Sequence, residues 1–342
     1  AVNLQAKGMA AIKTATLKRR KTLDPHADPA KTGMIGLPLS PMTSVVGHIE
    51  AKQTSVNPNF AAVIVHLMKR LKLKEGDLVA VGASGSFPAL NLATLVSCKT
   101  LRLNCVLISS IAASMYGAND PHMTWLDMEQ IAYTEGVIDQ RSRAASIGGM
   151  DDDGSQLSAK GIEQITSAIK RHKLPLIRNG VLEKNIADRR AIYAEAAGGE
   201  AYKAYINIGG NAASVGSHFT KVLFKSGINR NLPRRPIKDE GVMTLMMREH
   251  DIPVIHLSGV SQIAERYGLE LAPKKMPALA EGKLFYNMEY NLTLVWIFFL
   301  LLVGAIIFVV HFDAGKLFSG VPERLVPGRR DPASSADSGE VL

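Results

Sequence analysis

Nineteen consecutive residues without a charge, Leu292–Val310 (LTLVWIFFLLLVGAIIFVV), constrain this chain more than any other feature. At about 1.5 Å per residue in a helix, they match the hydrocarbon thickness of a bilayer. A core helix of a soluble domain would keep a polar face, and this segment has none. The run predicts one C-terminal transmembrane helix over 291–312. Basic residues flank it on both sides (Lys274, Lys275 and Lys283 before; Lys316, Arg324, Arg329 and Arg330 after), so the positive-inside rule favours a cytoplasmic tail only slightly. The polar tail, 313–342, ends in DPASSADSGEVL, a composition that predicts disorder. The chain opens at Ala1 rather than Met and shows no signal peptide or second apolar span, which leaves room for a removed upstream segment.

Ahead of that helix, strand-like and helix-like segments alternate. A weakly amphipathic helix over Val2–Leu17, a basic turn (Lys18–Lys21) and a linker occupy 1–32. From 33 to 270, continuous apolar runs predict strands at Leu78–Val81, Cys105–Ser109, Ala204–Ile208 and Val254–Leu257. Helical spacing marks Phe60–Leu73, Pro88–Cys98, Ser158–Arg171, Val181–Ala197 and Glu240–Glu249. Buried strands separated by helices point to an α/β fold, a mostly parallel sheet flanked by helices. Residues 271–290, with several prolines and lysines, read as a tether to the membrane helix.

The strand ends carry the functional signal. Val79–Asn91 (VAVGASGSFPALN) reads as strand, tight turn and helix N-terminus, with Gly82, Ser84, Gly85 and Ser86 in the turn and Asn91 just inside the helix. Such a turn, rich in N–H groups and set on a helix dipole, predicts an anion site. The next strand ends in Ser109 and Ser110 and runs on to Ser114; another ends in Gly209, Gly210 and Asn211 and continues to Ser217; the last carries His256 and ends in Ser258-Gly259. In open α/β sheets the ligand crevice lies beyond the carboxyl ends of the strands, so four such ends predict one shared pocket. Turn geometry alone also favours Gly and Ser, an account that fits any single end better than all four.

Established fingerprints fail. Gly82–Pro88 lacks the lysine of a phosphate-binding P-loop, and Gly209–Gly216 is not a dinucleotide-binding GxGxxG. The nucleophile elbow GxSxG would need glycine where Ser86 stands, yet Ser84 or Ser110 remains a candidate nucleophile with His256 as base. Asn119–Glu129 gathers Asn119, Asp120 and Asp127; it reads equally as a ligand site or as a helix capped by Thr124, with Asp127 in its first turn. Asp151-Asp152-Asp153-Gly154 lacks the alternating ligands and closing glutamate of a calcium loop and reads as a solvated turn. Arg141 and Arg143 could clamp carboxylates, although exposed arginines are common. No metal set and no cofactor fingerprint appears. Cys98 and Cys105 lack metal spacing and read as buried reduced thiols; a bridge is open to them outside the cytoplasm, but the sequence does not require one. The chain carries +9 net charge, which suits an anionic partner. Nucleic acid is disfavoured, because aromatics do not interleave with basic clusters.

The runs Gly47–Ala62, Val79–Asn91, Ile108–Glu129, Ile206–Ser217 and Ile252–Leu257 resemble the poly-gamma-glutamate system protein family, in order and over roughly Gly33 to Leu284. The resemblance implies a membrane-anchored accessory protein of poly-gamma-glutamate synthesis or export, its globular part outside the cytoplasm, with the polymer, the synthesis or export subunits and the bilayer as partners. It supplies no catalytic residues. The family's N-terminal anchor is not seen in this sequence, and Asn211 stands where a third glycine is commoner. Each residue of the polymer carries a free α-carboxylate, which N–H-rich turns of a basic protein would read. The alternative is a serine-dependent hydrolase or transferase that trims, releases or transfers the polymer.

Overall fold

The computed structural model describes residues 1–217, 220, 222–232, 237, 239–285 and 291–311. The chain divides into two units, Ala1–Asn287 and Met288–Leu342. In chain order the first holds α1 (Val2–Arg20), β1 (Thr43–Val45), α2 (Ile49–Ser55), α3 (Phe60–Arg70), β2 (Leu78–Ser84), α4 (Pro88–Leu101), β3 (Asn104–Ser110), β4 (Ala113–Ser114), β5 (Asn119–Asp120), β6 (Met123–Thr124) and α5 (Trp125–Thr134). It continues with β7 (Ser142–Ser146), α6 (Ala159–Arg171), β8 (Leu176–Ile177), α7 (Leu182–Ala197), β9 (Ala204–Ile208), α8 (Ala212–Val215), β10 (Gly227–Asn229), α9 (Val242–His250), β11 (Val254–Leu257) and α10 (Val260–Tyr267). The second unit is described through α11 (Leu292–His311), one helix long and apolar enough to cross a membrane. The polar tail expected at 313–342 and residues 286–290 of the expected tether lie outside the described residues.

Seven strands form one sheet in the order β10-β11-β9-β2-β3-β7-β8, parallel throughout except for the edge pair β10–β11. The α/β expectation is met. Period-2 alternation then splits the core in two. Val79, Val81 and Ala83 of β2 face a layer built from α1, α3, α4, α5, α6 and α10, whereas Leu78 and Ala80 face α7, α8 and α9. From β2 the chain winds outward through β3, β7 and β8, then returns to place β9 on the other side of β2. The reversal at β2/β9 is the switch point at which an open parallel sheet leaves a crevice.

Local chemistry explains most boundaries. Pro88 begins α4 at a position where no backbone N–H is needed, and Ser158 caps α6 by accepting from Gly161 N at 3.2 Å. Thr124 and Asp127 form the capping box of α5, as their spacing suggests. Three expectations are corrected. The N-terminal helix runs through the supposed basic turn to Arg20, because Lys18, Arg19 and Arg20 sit favourably at the negative end of its dipole. Gly82, Ala83 and Ser84 extend β2 rather than opening the turn. Cys98 and Cys105 are not reduced thiols: they are bridged, tying α4 to β3.

The stretch read as a tether is hydrogen-bonded onto the globule as far as it is described. Ala272 N donates to Thr54 Oγ1, Asn59 Nδ2 donates to Ala278 O, and Ala280 N donates to Asn59 Oδ1.

Candidate active site

The carboxyl ends of β2, β3, β9 and β11 open into one cavity of about 1280 Å³. It is lined by Ser84, Ser86, Ser110, Ser114, Gly209, Gly210, Asn211 and Ser217 of the sequence-predicted residues, together with Ser258 and Gly259. Gly82, Gly85, Asn91, Ser109, Asn119, Asp120, Asp127 and His256 are not among its lining residues.

The first corner is not an open anion site. Gly85 N donates to Ser110 O, Ser86 N to Ser84 Oγ and Phe87 N to Ser84 O, at 2.8, 3.2 and 3.2 Å. Its amides are therefore occupied by the protein itself. Gly85 instead permits close approach, since a Cβ there would collide with Ile111 O. Asn91 latches the corner, its amide donating to Ser84 O at 2.9 Å.

What the cavity holds is an amine. The segment before α2 runs parallel to β4, with Val45 opposite Ser114, and then passes Gly47 into α2, which carries Lys52. Lys52 is 3% exposed, and its Nζ lies 2.8 Å from Ser114 Oγ. The same nitrogen donates to Ser86 O and sits 3.7 Å from the centroid of the Phe87 ring. Among the described residues no carboxylate pairs with it. Burial pushes its pKa down to about 7. A neutral amine has two N–H bonds and one lone pair. As an ammonium Lys52 Nζ donates to both Ser86 O and Ser114 Oγ; once deprotonated it can keep the bond to Ser86 O and turn its lone pair to the Ser114 hydroxyl. Ser114 is held in turn, its N–H donating to Ser86 Oγ at 3.0 Å. Gly47 leaves space beside it, for a Cβ there would stand 3.2 Å from Ser114 Oγ.

The serines first considered as nucleophiles are placed differently. Ser110 Oγ takes part in a buried ionic network, receiving Arg189 Nη2 at 2.8 Å and donating to Asp152 Oδ1 at 2.9 Å. Asp152 is therefore no member of a solvated turn. It is fully buried at a positive φ of 58° and paired with Arg189 at 2.9 Å. Ser84 Oγ accepts from Ser86 N, and His256 does not stand beside it. His256 is opposite Asn207, which is opposite Gly82, so two strand spacings, roughly 10 Å, separate the backbones. His256 Nδ1 lies 2.9 Å from Asn207 Nδ2, and its ring packs against Phe224.

The acidic candidates are consumed in structure. Asn119 bridges Leu37 and Thr43, Asp120 pairs with Arg20 at 2.7 Å, and Ser109 Oγ meets Ser142 Oγ at 2.8 Å. For Asp127 burial alone would raise the pKa, but hydrogen bonds from His172, Arg171 and Thr124 outweigh it and hold the carboxyl below its usual range. Arg141 lies 3.9 Å from the buried carboxyl of Glu129, and Arg143 belongs to the opposite end of the sheet. Asn211, which also lines the cavity, caps α8 by accepting from Ser214 N at 2.8 Å through its Oδ1, and its Nδ2 is a buried donor without an acceptor.

Lys52 was not singled out by sequence. The available signal was the one lysine between Gly47 and Ala62, inside the first run that carries the resemblance. Among the described residues no group of His, Cys, Asp and Glu is arranged to hold a metal ion.

Fold and site define a doubly wound α/β domain whose crevice holds a serine beside a buried lysine, on a chain that among its described residues has one membrane-length helix. No family model, curated protein or solved structure matches the chain.

Proposed function

We propose that this protein is a membrane-tethered serine–lysine acyl hydrolase or transferase. One observation carries the reading: Ser114, which lines the crevice, has within hydrogen-bond distance an amine that can lose its proton, whereas Ser110 faces a guanidinium that stays charged, and burial lowers the Lys52 pKa to about 7. A general base works best with a pKa near the operating pH, and a serine hydroxyl needs such a base to become nucleophilic. Lys52 Nζ takes the hydroxyl proton as Ser114 Oγ bonds to the acyl carbonyl carbon. The resulting ammonium returns that proton to the leaving oxygen or nitrogen as its bond to carbon breaks. Water or an acceptor hydroxyl or amine then repeats the sequence on the acyl-serine, losing its proton to Lys52. Asn211 lines the same crevice and its Nδ2 is a buried donor without a partner, so we assign it to the developing oxyanion as part of the same proposal.

The Cys98–Cys105 bridge supports an oxidising compartment, hence a globular unit outside the cytoplasm, with α11 as its anchor. The resemblance to the poly-gamma-glutamate system family supports a role at the surface polymer. In that setting the bond acted on would be a gamma-glutamyl amide or an acyl group on the same assembly.

The test is covalent. A fluorophosphonate probe is added to the full chain in detergent, and the labelled peptide is mapped. Labelling at Ser114, absent in Ser114→Ala and strongly slowed in Lys52→Met, is the expected result. A folded protein that takes no label, or one labelled equally in Ser114→Ala, overturns the reading. Salt-sensitive binding of poly-gamma-glutamate by that unlabelled protein then assigns it the non-catalytic accessory role.

A further inference from the structure

Four large apolar side chains stand in water around the cavity: Val45, Val46, Met150 and Val181 are 53, 80, 66 and 44% exposed. Single exposed hydrophobics are ordinary on any surface. Four from three separate segments around one opening mark a binding lip. The lip starts beside the nucleophile, because Val45 is the register partner of Ser114. Buried apolar residues Ala112, Val215 and Val260 line the same cavity beside its buried serines. The volume, about 1280 Å³, exceeds what a small acyl group needs.

Charge narrows the choice. Each apolar element of the lip has a carboxylate close in sequence: Glu50 follows Val46, Asp151 follows Met150, and Glu183 follows Val181. All three acids are exposed and line the same opening. Among the described lining residues the basic groups are His48 and the deep Lys52. A phosphate or a carboxylate-bearing acyl chain would bring negative charge against that lip, whereas an uncharged ester meets no repulsion and buries its alkyl chain. The same chain carries α11, long and apolar enough to reach a bilayer, the phase in which such esters dissolve.

We propose that the acyl group taken by Ser114 is the alkyl acyl chain of an uncharged, lipid-like ester, and that its chain lies along Val45, Val46, Met150 and Val181. The inference rests on the Ser114–Lys52 reading and adds the substrate class to it. Ser114 Oγ bonds to the ester carbonyl carbon and the carbon–alkoxy bond breaks. The alcohol leaves with the proton carried by Lys52, and water or an acceptor hydroxyl removes the acyl chain.

Full-length protein in detergent is assayed with p-nitrophenyl esters from acetate to octanoate, beside gamma-glutamyl p-nitroanilide. Each fully buried methylene multiplies kcat/KM by about fourfold, so a partly buried chain predicts at least about a tenfold rise from acetate to octanoate. Val46→Asp and Met150→Asp flatten that rise in the same detergent, which separates the lip from simple partitioning into micelles. A flat or falling series, or faster turnover of the anilide, overturns the substrate class while fluorophosphonate labelling of Ser114 leaves the dyad standing. No labelling together with no ester turnover removes both.

Discussion

Lys52 Nζ and Ser114 Oγ lie 2.8 Å apart although 62 residues separate them in the chain, and both groups are buried beside the crevice at the sheet's switch point. The pair is assembled by neighbouring backbone. The short parallel pairing of β1 with β4, Thr43 to Ala113 and Val45 to Ser114, brings the start of α2 alongside β4, and Lys52 of α2 lies over Phe87. The amine is kept poorly solvated by the same packing that positions it. Position and basicity are therefore one property of this fold.

The rate of acylation should follow the deprotonation of Lys52. Burial sets its pKa at about 7, so kcat/KM for a neutral ester rises with pH and levels off above that value. Ser114→Ala and Lys52→Met should each lower kcat/KM by about 10²- to 10⁴-fold. Lys52→Arg should be no better than Lys52→Met, because a guanidinium stays protonated. A stopped-flow profile from pH 5 to 9 on wild type and variants checks all three.

The same amine should weaken the fold. In the unfolded chain Lys52 titrates at its ordinary 10.5, so between about 7 and that value the unfolded state binds the extra proton. Stability then rises with pH across this window, and the penalty is full below about 7. Lys52→Met removes the penalty and should raise stability at pH 7 by on the order of 4 kcal/mol, with the gain shrinking towards pH 10. Urea midpoints at pH 6.5, 8 and 9.5 measure it. A gain in stability with a loss of turnover marks a site kept for function.

Much of this fold was legible locally. β3, β9 and β11 read as apolar runs, and the helix from Trp125 is announced by Thr124 and Asp127. The failures are tertiary. Gly82 looked like a turn residue but lies in β2, paired with Ile108 and Asn207; it is glycine because Tyr205 Oη occupies the space where a Cβ would be. Asp152 looked solvated because its partner Arg189 is 37 residues away. Lys52 carries no local signal of its own; Phe87 and Ser114, from two other segments, pack against its amine. The gathering of the Gly/Ser corners followed from strand order alone. The occupancy of their amides did not, since it depends on which side chains turn inward.

Glu129 offers a second pH-linked measurement. Burial raises its pKa to about 7, against hydrogen bonds from Ser142 and the field of Arg141. The folded state therefore binds more protons than the unfolded state between 4.5 and about 7, and stability declines as pH rises through that range. Glu129→Gln keeps an acceptor for Ser142 N and Oγ, which lie 3.0 and 2.8 Å from one carboxyl oxygen. It should be close to neutral at pH 5 and stabilise by up to about 3 kcal/mol at pH 8. Thermal unfolding at the two pH values is sufficient.

The Cys98–Cys105 bridge closes a short loop, with a sequence separation of 7. Loop-closure entropy for so short a ring is about 2–3 kcal/mol. Cys98→Ala/Cys105→Ala should lose that much stability in denaturant titrations, and reducing agent should have no further effect on the double variant. The crevice lies at the other end of the strands, so probe labelling of Ser114 should persist wherever the variant is folded.

Asp152 and Arg189 couple the crevice to the core. Arg189 Nε and Nη2 reach Asp152 Oδ2 at 3.1 and 2.9 Å, both residues are shut off from water, and Ser110 and Ser146 complete the network. Asp152 follows directly on Met150 and Asp151, which line the mouth, so the pair fixes one side of the lip. Arg189→Met leaves a buried carboxylate unpaired and should cost about 3–5 kcal/mol, as should Asp152→Ala. Arg189→Met/Asp152→Leu removes both charges and should recover most of that loss, a coupling measurable by a double-mutant cycle. Because the double variant restores packing without restoring the positive-φ loop, it should fold while still losing turnover of the longer esters. Recovery of stability without recovery of octanoate turnover then locates the network's contribution in the shape of the lip.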